Sequence, residues 1–121
     1  MTFFANSSSK YGNGTKAPSG SLKDSQLSNQ LQLYKSRIAA RYRILKPSRI
    51  VKDIQEKVWI SAKIDGELWF LVKKEGNVAL CAYNGRVIEN IEITKEAEER
   101  LKGSQDIIIP GELFSAESQG R

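Results

Sequence analysis

Histidine is absent from the 121 residues. That excludes serine–histidine triads, histidine general bases and zinc sites built on imidazole. The single cysteine, Cys81, excludes a disulfide framework and fits a reducing compartment. No apolar run approaches the roughly 20 residues that a membrane helix needs. No secretory leader is expected in this segment: Phe3-Phe4-Ala5 runs at once into Asn6-Ser7-Ser8-Ser9, leaving no apolar stretch. Acids are absent before Asp24, as in transit peptides, but the lack of arginine before Arg37 argues against one. Chemistry in this chain must therefore rest on Lys, Asp, Glu, Arg, Ser or Tyr.

The net charge of +5 is unevenly distributed. Residues 1–60 carry eleven Lys/Arg against three acids, and residues 61–121 carry eight against eleven. A basic front half suits a polyanion such as nucleic acid; a solvated basic tail is the alternative.

Residues 1–24 are rich in Ser, Gly, Asn and Lys without apolar periodicity, and are expected to be a disordered tail. Residues 25–57 form a basic helical lead-in. Leu27, Leu31, Tyr34, Ile38, Tyr42 and Leu45 recur at helical spacing, with Lys35, Arg37, Arg41 and Arg43 on the other faces. Pro47 should end this helix, and a turn or short helical piece follows around 48–56. From residue 58 the pattern becomes strands: Val58–Ile64, Glu67–Lys73, Val78–Tyr83 and Arg86–Ile93, separated by Asp65-Gly66, Glu75-Gly76-Asn77 and Asn84-Gly85. Thr94–Lys102 reads as a helix capped by Thr94 and stopped by Gly103, and Asp106–Ile109 as a last strand before Pro110-Gly111. The expected class is α+β, an antiparallel β meander with flanking helices, and residues 58–121 form its partial domain.

If Asp65-Gly66 makes a two-residue hairpin, Lys63 opposes Leu68 and Ser61 opposes Phe70. Trp59, Ser61, Lys63, Leu68, Phe70 and Val72 then share one face. A lysine on such an apolar surface loses hydration, which favours its neutral, nucleophilic amine. The alternative is a lysine that snorkels to the hairpin rim. Trp59 reads either as a pocket wall or as a core aromatic.

Lys63-Ile64-Asp65-Gly66-Glu67 resembles the nucleotide-accepting lysine motif of ATP-dependent DNA ligases, which belong to the covalent nucleotidyltransferases together with RNA ligases and capping enzymes. Two later segments resemble the same family. Ala82-Tyr83-Asn84-Gly85 aligns with its serine-arginine-asparagine-glycine turn, and Gly111-Glu112-Leu113 aligns with its glycine-glutamate-leucine segment. The resemblance covers residues 58–114. It implies the front half of a nucleotidyltransferase (ATP-grasp-like ligase) adenylation domain. Lys63 would be the catalytic nucleophile, and Ser61, Lys63, Asp65, Gly66 and Glu112 would bind the nucleotide, Glu112 at the ribose; Arg86, just past the Asn84-Gly85 turn, would stand in for the family's arginine in binding the nucleotide, the alternative being an exposed hairpin arginine. No residue is assigned as a metal ligand.

The implied cofactors are ATP and Mg²⁺. The implied partner is nicked nucleic acid, with DNA ahead of RNA, and no membrane. The implied state is a monomer in the cytoplasm (nucleoid-associated) or nucleus, working in DNA replication, repair and recombination. The chain departs from the family at Leu68, where many members place an arginine, at Ala82 and Tyr83, and at Pro110 in place of aspartate. RNA ligases, some of which lack the post-motif arginine, and a capping-type guanylyltransferase stay open, as does a non-catalytic β-meander module that binds nucleic acid. An NAD-dependent ligase fits less well, because the 62 residues before Lys63 cannot hold a nicotinamide-binding domain. The family's later motifs would follow Glu112, so a fragment or truncated product is expected.

Overall fold

The computed structural model describes residues 2–63 and 65–114. Among these, β1 (Ser9–Tyr11), β2 (Gly14–Ala17), α1 (Ser25–Arg37), α2 (Ile50–Asp53), β3 (Glu67–Lys74), β4 (Asn77–Cys81), β5 (Val87–Glu89), α3 (Glu92–Arg100) and β6 (Ile107–Leu113) follow in chain order, with 3₁₀ turns at Ala39–Arg41 and Pro47–Arg49. The strands form one antiparallel sheet in the order β1-β2-β5-β4-β3-β6. The protein is therefore α+β with a six-stranded antiparallel sheet.

The centre of this sheet is the expected meander. Glu75 and Gly76 both take positive φ between Lys74 and its partner Asn77, giving the tight β3–β4 hairpin. Between β4 and β5, Gly85 at φ +93° turns the chain, and a Cβ there would lie 2.7 Å from the Gly20 nitrogen. Glycine is required at this position on both counts.

Alternation along β3 defines two cores. Phe70 and Val72 face α1 and are buried with Leu27, Leu31, Ala79, Cys81, Val87, Phe4, Ala5 and Ala17. Trp69 points the opposite way with Leu80 and Ala82, flanked by Leu71, Ile88 and Leu113. On that second face the buried Lys73 reaches the end of α3. Its ammonium donates to the Leu101 carbonyl at 2.6 Å and the Ser104 carbonyl at 2.7 Å, satisfying acceptors that a helix end leaves over.

The segment read as a disordered tail instead supplies two strands. β1 and β2 form a hairpin about Gly12-Asn13, and β2 pairs with β5 through Thr15–Glu89 and Ala17–Val87. Phe4 and Ala5 ahead of it are buried. Ladder hydrogen bonds and three small or aromatic side chains hold the segment, not a periodic apolar stripe. Gly12-Asn13, a hairpin dipeptide, is its signal in the sequence.

The helical lead-in is shorter than expected. Asp24 caps α1 by accepting the Leu27 N–H at 3.1 Å, and the helix ends at Arg37. Only Leu27 and Leu31 of the stripe are buried, while Ile38 and Tyr42 are exposed. Pro47 opens a 3₁₀ turn that leads into α2. Helix α3 begins two residues before Thr94. The cap residue is Ile91, whose N–H donates to the Thr94 hydroxyl at 3.0 Å. Strand β6 runs through Pro110 and Gly111 to Leu113, past the closing turn expected there.

Asp24 also pairs with Lys74 of β3. The hydrogen bond from Lys74, then that from the Leu27 N–H, holds its carboxyl below the usual carboxylate range. A lowered carboxyl pKa contributes stability above the unfolded value near 3.8, and this is lost as pH falls through the folded value. Asp24→Asn should therefore flatten the acid limb of a plot of melting temperature against pH. Asp24→Ala should remove the cap at a cost of about 0.5–2 kcal/mol near neutrality, read by urea denaturation.

Candidate functional site

The lysine motif does not form the hairpin expected of it. Residues 57–63 form no strand, and Val58, Trp59, Ile60, Ser61, Ala62 and Lys63 are all exposed. Trp59 is 102% exposed, so it is neither a pocket wall nor a core aromatic. The reason lies in β3, which has two edges. β4 takes one and β6 takes the other, so no edge of β3 is left for the Val58–Ile64 strand. Glu112 stands opposite Leu68, where the hairpin argument placed Lys63. The β-branched run Ile107–Ile109 and the continuation through Leu113 give β6 seven ladder positions on β3.

Lys63 is thus exposed to solvent and does not project from the apolar surface expected for it. Asp65-Gly66 is not a type I′ turn either, since neither residue takes positive φ. Ile64, expected in the same hairpin, lies outside the described residues.

Gly66 has a different role. A Cβ on it would stand 2.5 Å from the Leu113 carbonyl oxygen. Its N–H donates to the Glu112 carboxylate (Oε2) at 3.2 Å across 46 residues of sequence. This bond brings together two of the expected site residues, from the lysine motif and from the glycine-glutamate-leucine segment. Glu112 is exposed and has a second oxygen, and it lies on the α1 side of the sheet with Leu68. Tyr34 is close by: the Tyr42 hydroxyl 3.2 Å away, then burial and the charge of Glu112, raises the Tyr34 pKa.

Arg86 is elsewhere. Its guanidinium stands over the Trp69 ring at 4.8 Å and meets the Glu67 carboxylate at 3.7 Å, on the opposite face of the sheet from Glu112. Ser61, Lys63 and Asp65 are exposed in the unpaired run, so the structure joins Gly66 to Glu112 but does not gather all six residues. Tyr34 and Tyr42, whose hydroxyls meet at 3.2 Å, are not among the residues expected at the site. Their spacing had marked them only as helix-stripe positions.

A cavity of about 310 Å³ lies between the start of α1 and the β3–β6 edge, lined by Gln26, Gln30, Lys74 and Asp106 among others, and does not reach Lys63. Among the described residues, no three Asp, Glu, His or Cys side chains converge to hold a metal. Among the described residues, no helix is long and apolar enough to cross a membrane.

Cys81 is no substitute nucleophile. Burial first, then the charge of Glu89, pushes its thiol up to about 12, so it is protonated at neutral pH. Iodoacetamide should leave the native protein unmodified over hours and alkylate it promptly in denaturant, read by intact mass.

Comparisons with protein-family models, with curated proteins and with solved structures find no match for this chain.

Proposed function

We propose that this chain is the nucleotide-accepting part of an ATP-dependent polynucleotide ligase, with nicked DNA as its substrate and RNA as the alternative. The observation that carries the reading is the Gly66–Glu112 hydrogen bond, which joins two separately recognised motif segments. In this reading Lys63 Nζ attacks the α-phosphorus of ATP. The bond to pyrophosphate breaks, the amine gives up a proton, and a lysyl-AMP phosphoramidate forms. The adenylyl group then passes to a 5′-phosphate, and a 3′-hydroxyl attacks that phosphate to join the strands and release AMP. Glu112 would hold the ribose through the oxygen that Gly66 leaves free, and Asp65 and Gly66 complete the motif. Magnesium enters with ATP; no step is assigned to protein ligands for it.

The test is incubation of the purified chain with α-labelled ATP and a magnesium salt. Covalent label is expected on Lys63, absent from Lys63→Ala. Label that survives Lys63→Ala, or no label at all, rules the reading out. Transfer from GTP in preference to ATP would indicate a capping-type guanylyltransferase.

One observation favours a second reading, a non-catalytic module that binds nucleic acid. Lys35, Arg37, Arg41, Arg43, Lys46, Arg49, Lys52 and Lys57 are all exposed over a stretch with two acids, Asp53 and Glu56. Such a surface meets phosphates without reading sequence. Under this reading Lys63→Arg leaves binding unchanged.

A further inference from the structure

The unpaired run 57–63 and the free side of β6 match each other. The run has strand-forming composition, yet Val58 is 52%, Trp59 102% and Ile60 90% exposed. β6 closes one side of the sheet and pairs only with β3 among the described residues. On the face of β6 away from α1, Ile107 and Ile109 stay 40% and 38% exposed. The two stretches have equal length and opposite flanking charges: Lys57 and Lys63 on one, Asp106 and Glu112 on the other.

We infer that residues 57–63 add as an antiparallel strand to the free edge of β6 in a second copy of this chain, forming a reciprocal dimer. Laid antiparallel, Lys57 falls opposite Glu112 and Lys63 opposite Asp106. Trp59 lies on Pro110, Ile60 beside Ile109 and Ala62 beside Ile107. Charges and the aromatic ring share one face, and aliphatic side chains share the other, as the pleat requires. The reciprocal arrangement gives a closed two-fold assembly, and the main-chain ladder supplies affinity.

The same chain cannot make this pairing. Gly66 is already fixed on the end of β6, and the residues between it and Lys63 are too few to carry the run back along the edge in the antiparallel sense. Pro110 offers no N–H to a ladder, which keeps the association weak. Self-association departs from the monomer expected from sequence, and it stands whether or not Lys63 accepts a nucleotide.

The test uses the whole chain. Sedimentation velocity from low micromolar to near-millimolar concentration should show a monomer–dimer equilibrium. A blue shift of Trp59 emission, isolated by subtracting the spectrum of Trp59→Phe, should follow the same isotherm. Trp59→Asp, at a fully exposed position that leaves folding intact, should weaken the dimer by about tenfold or more. Lys63→Glu and Asp106→Lys should each weaken it, and mixing the two variants or combining them should restore part of the loss. A monomer at every concentration overturns the inference, as does a dimer indifferent to Trp59→Asp. A blue shift without a change in mass, meaning that the run docks on its own chain, overturns it equally.

Discussion

Lys63→Arg should abolish nucleotide labelling as completely as Lys63→Ala does, and this is the larger of the two effects expected to have the greatest size. A guanidinium is charged at any working pH and presents no free electron pair to phosphorus, so it preserves charge while removing nucleophilicity. The pair of variants separates the two readings of the chain. A surface that meets phosphates keeps its nucleic-acid affinity when lysine becomes arginine, whereas a nucleophile loses its label. Lys63 is exposed, so a small yield of lysyl-AMP from the chain alone is expected. Glu112→Ala supplies the internal control. It removes the acceptor for the Gly66 N–H, so label should fall while Lys63 remains present.

Phe70→Ala should destabilise the protein by about 3–5 kcal/mol, a large share of the stability of a domain this size. Phe70 is 1% exposed at the centre of β3 and meets the Tyr34 ring edge-on, with centroids 5.3 Å apart. It is flanked on the ladder by Cys81 and Pro110 and roofed by α1. Truncation leaves a cavity that neither the sheet backbone nor a helix anchored at Leu27 and Leu31 can close. Urea denaturation followed by far-UV circular dichroism should show a lower midpoint with an unchanged slope. Phe70→Leu should cost less, because most of the volume stays filled.

What the sequence made legible followed from local chemistry. The β3–β4–β5 meander is marked by the turn segments Glu75-Gly76 and Asn84-Gly85, in which Glu75, Gly76 and Gly85 take positive φ, and by alternating apolar side chains between them. Residues whose structure depends on distant partners were not legible. Nothing local in Ser9–Ala17 announces that β5 will supply its ladder. Nothing in Val58–Ala62, a good strand by composition, announces that β6 will take the edge of β3 that it was expected to fill. At the site, the glycine of the lysine motif and Glu112 were named from their segments, and the hydrogen bond between them belongs to the β3–β6 register. Arg86 lies just past the Asn84-Gly85 turn, and alternation into β5 sends it to the other face, onto Trp69 and Glu67. Tyr34 and Tyr42 sit in a helical stripe that sequence periodicity assigns to the core, and only the early end of α1 at Arg37 brings their hydroxyls together.

The β2–β5 pairing also bears on how the chain reaches this structure. The Asn90 side-chain amide meets the Thr15 hydroxyl across 75 residues, against 46 for the Gly66–Glu112 bond. Loop-closure entropy separates spans of these two lengths by only about 0.4 kcal/mol, so the longer closure costs the finished sheet little. Its weight is kinetic. During synthesis β2 emerges early and has no partner until β5 has left the ribosome, whereas β3 and β4 can zip together at once. The meander should form first and the N-terminal hairpin should dock late, which places this protein among the slower folders of its length.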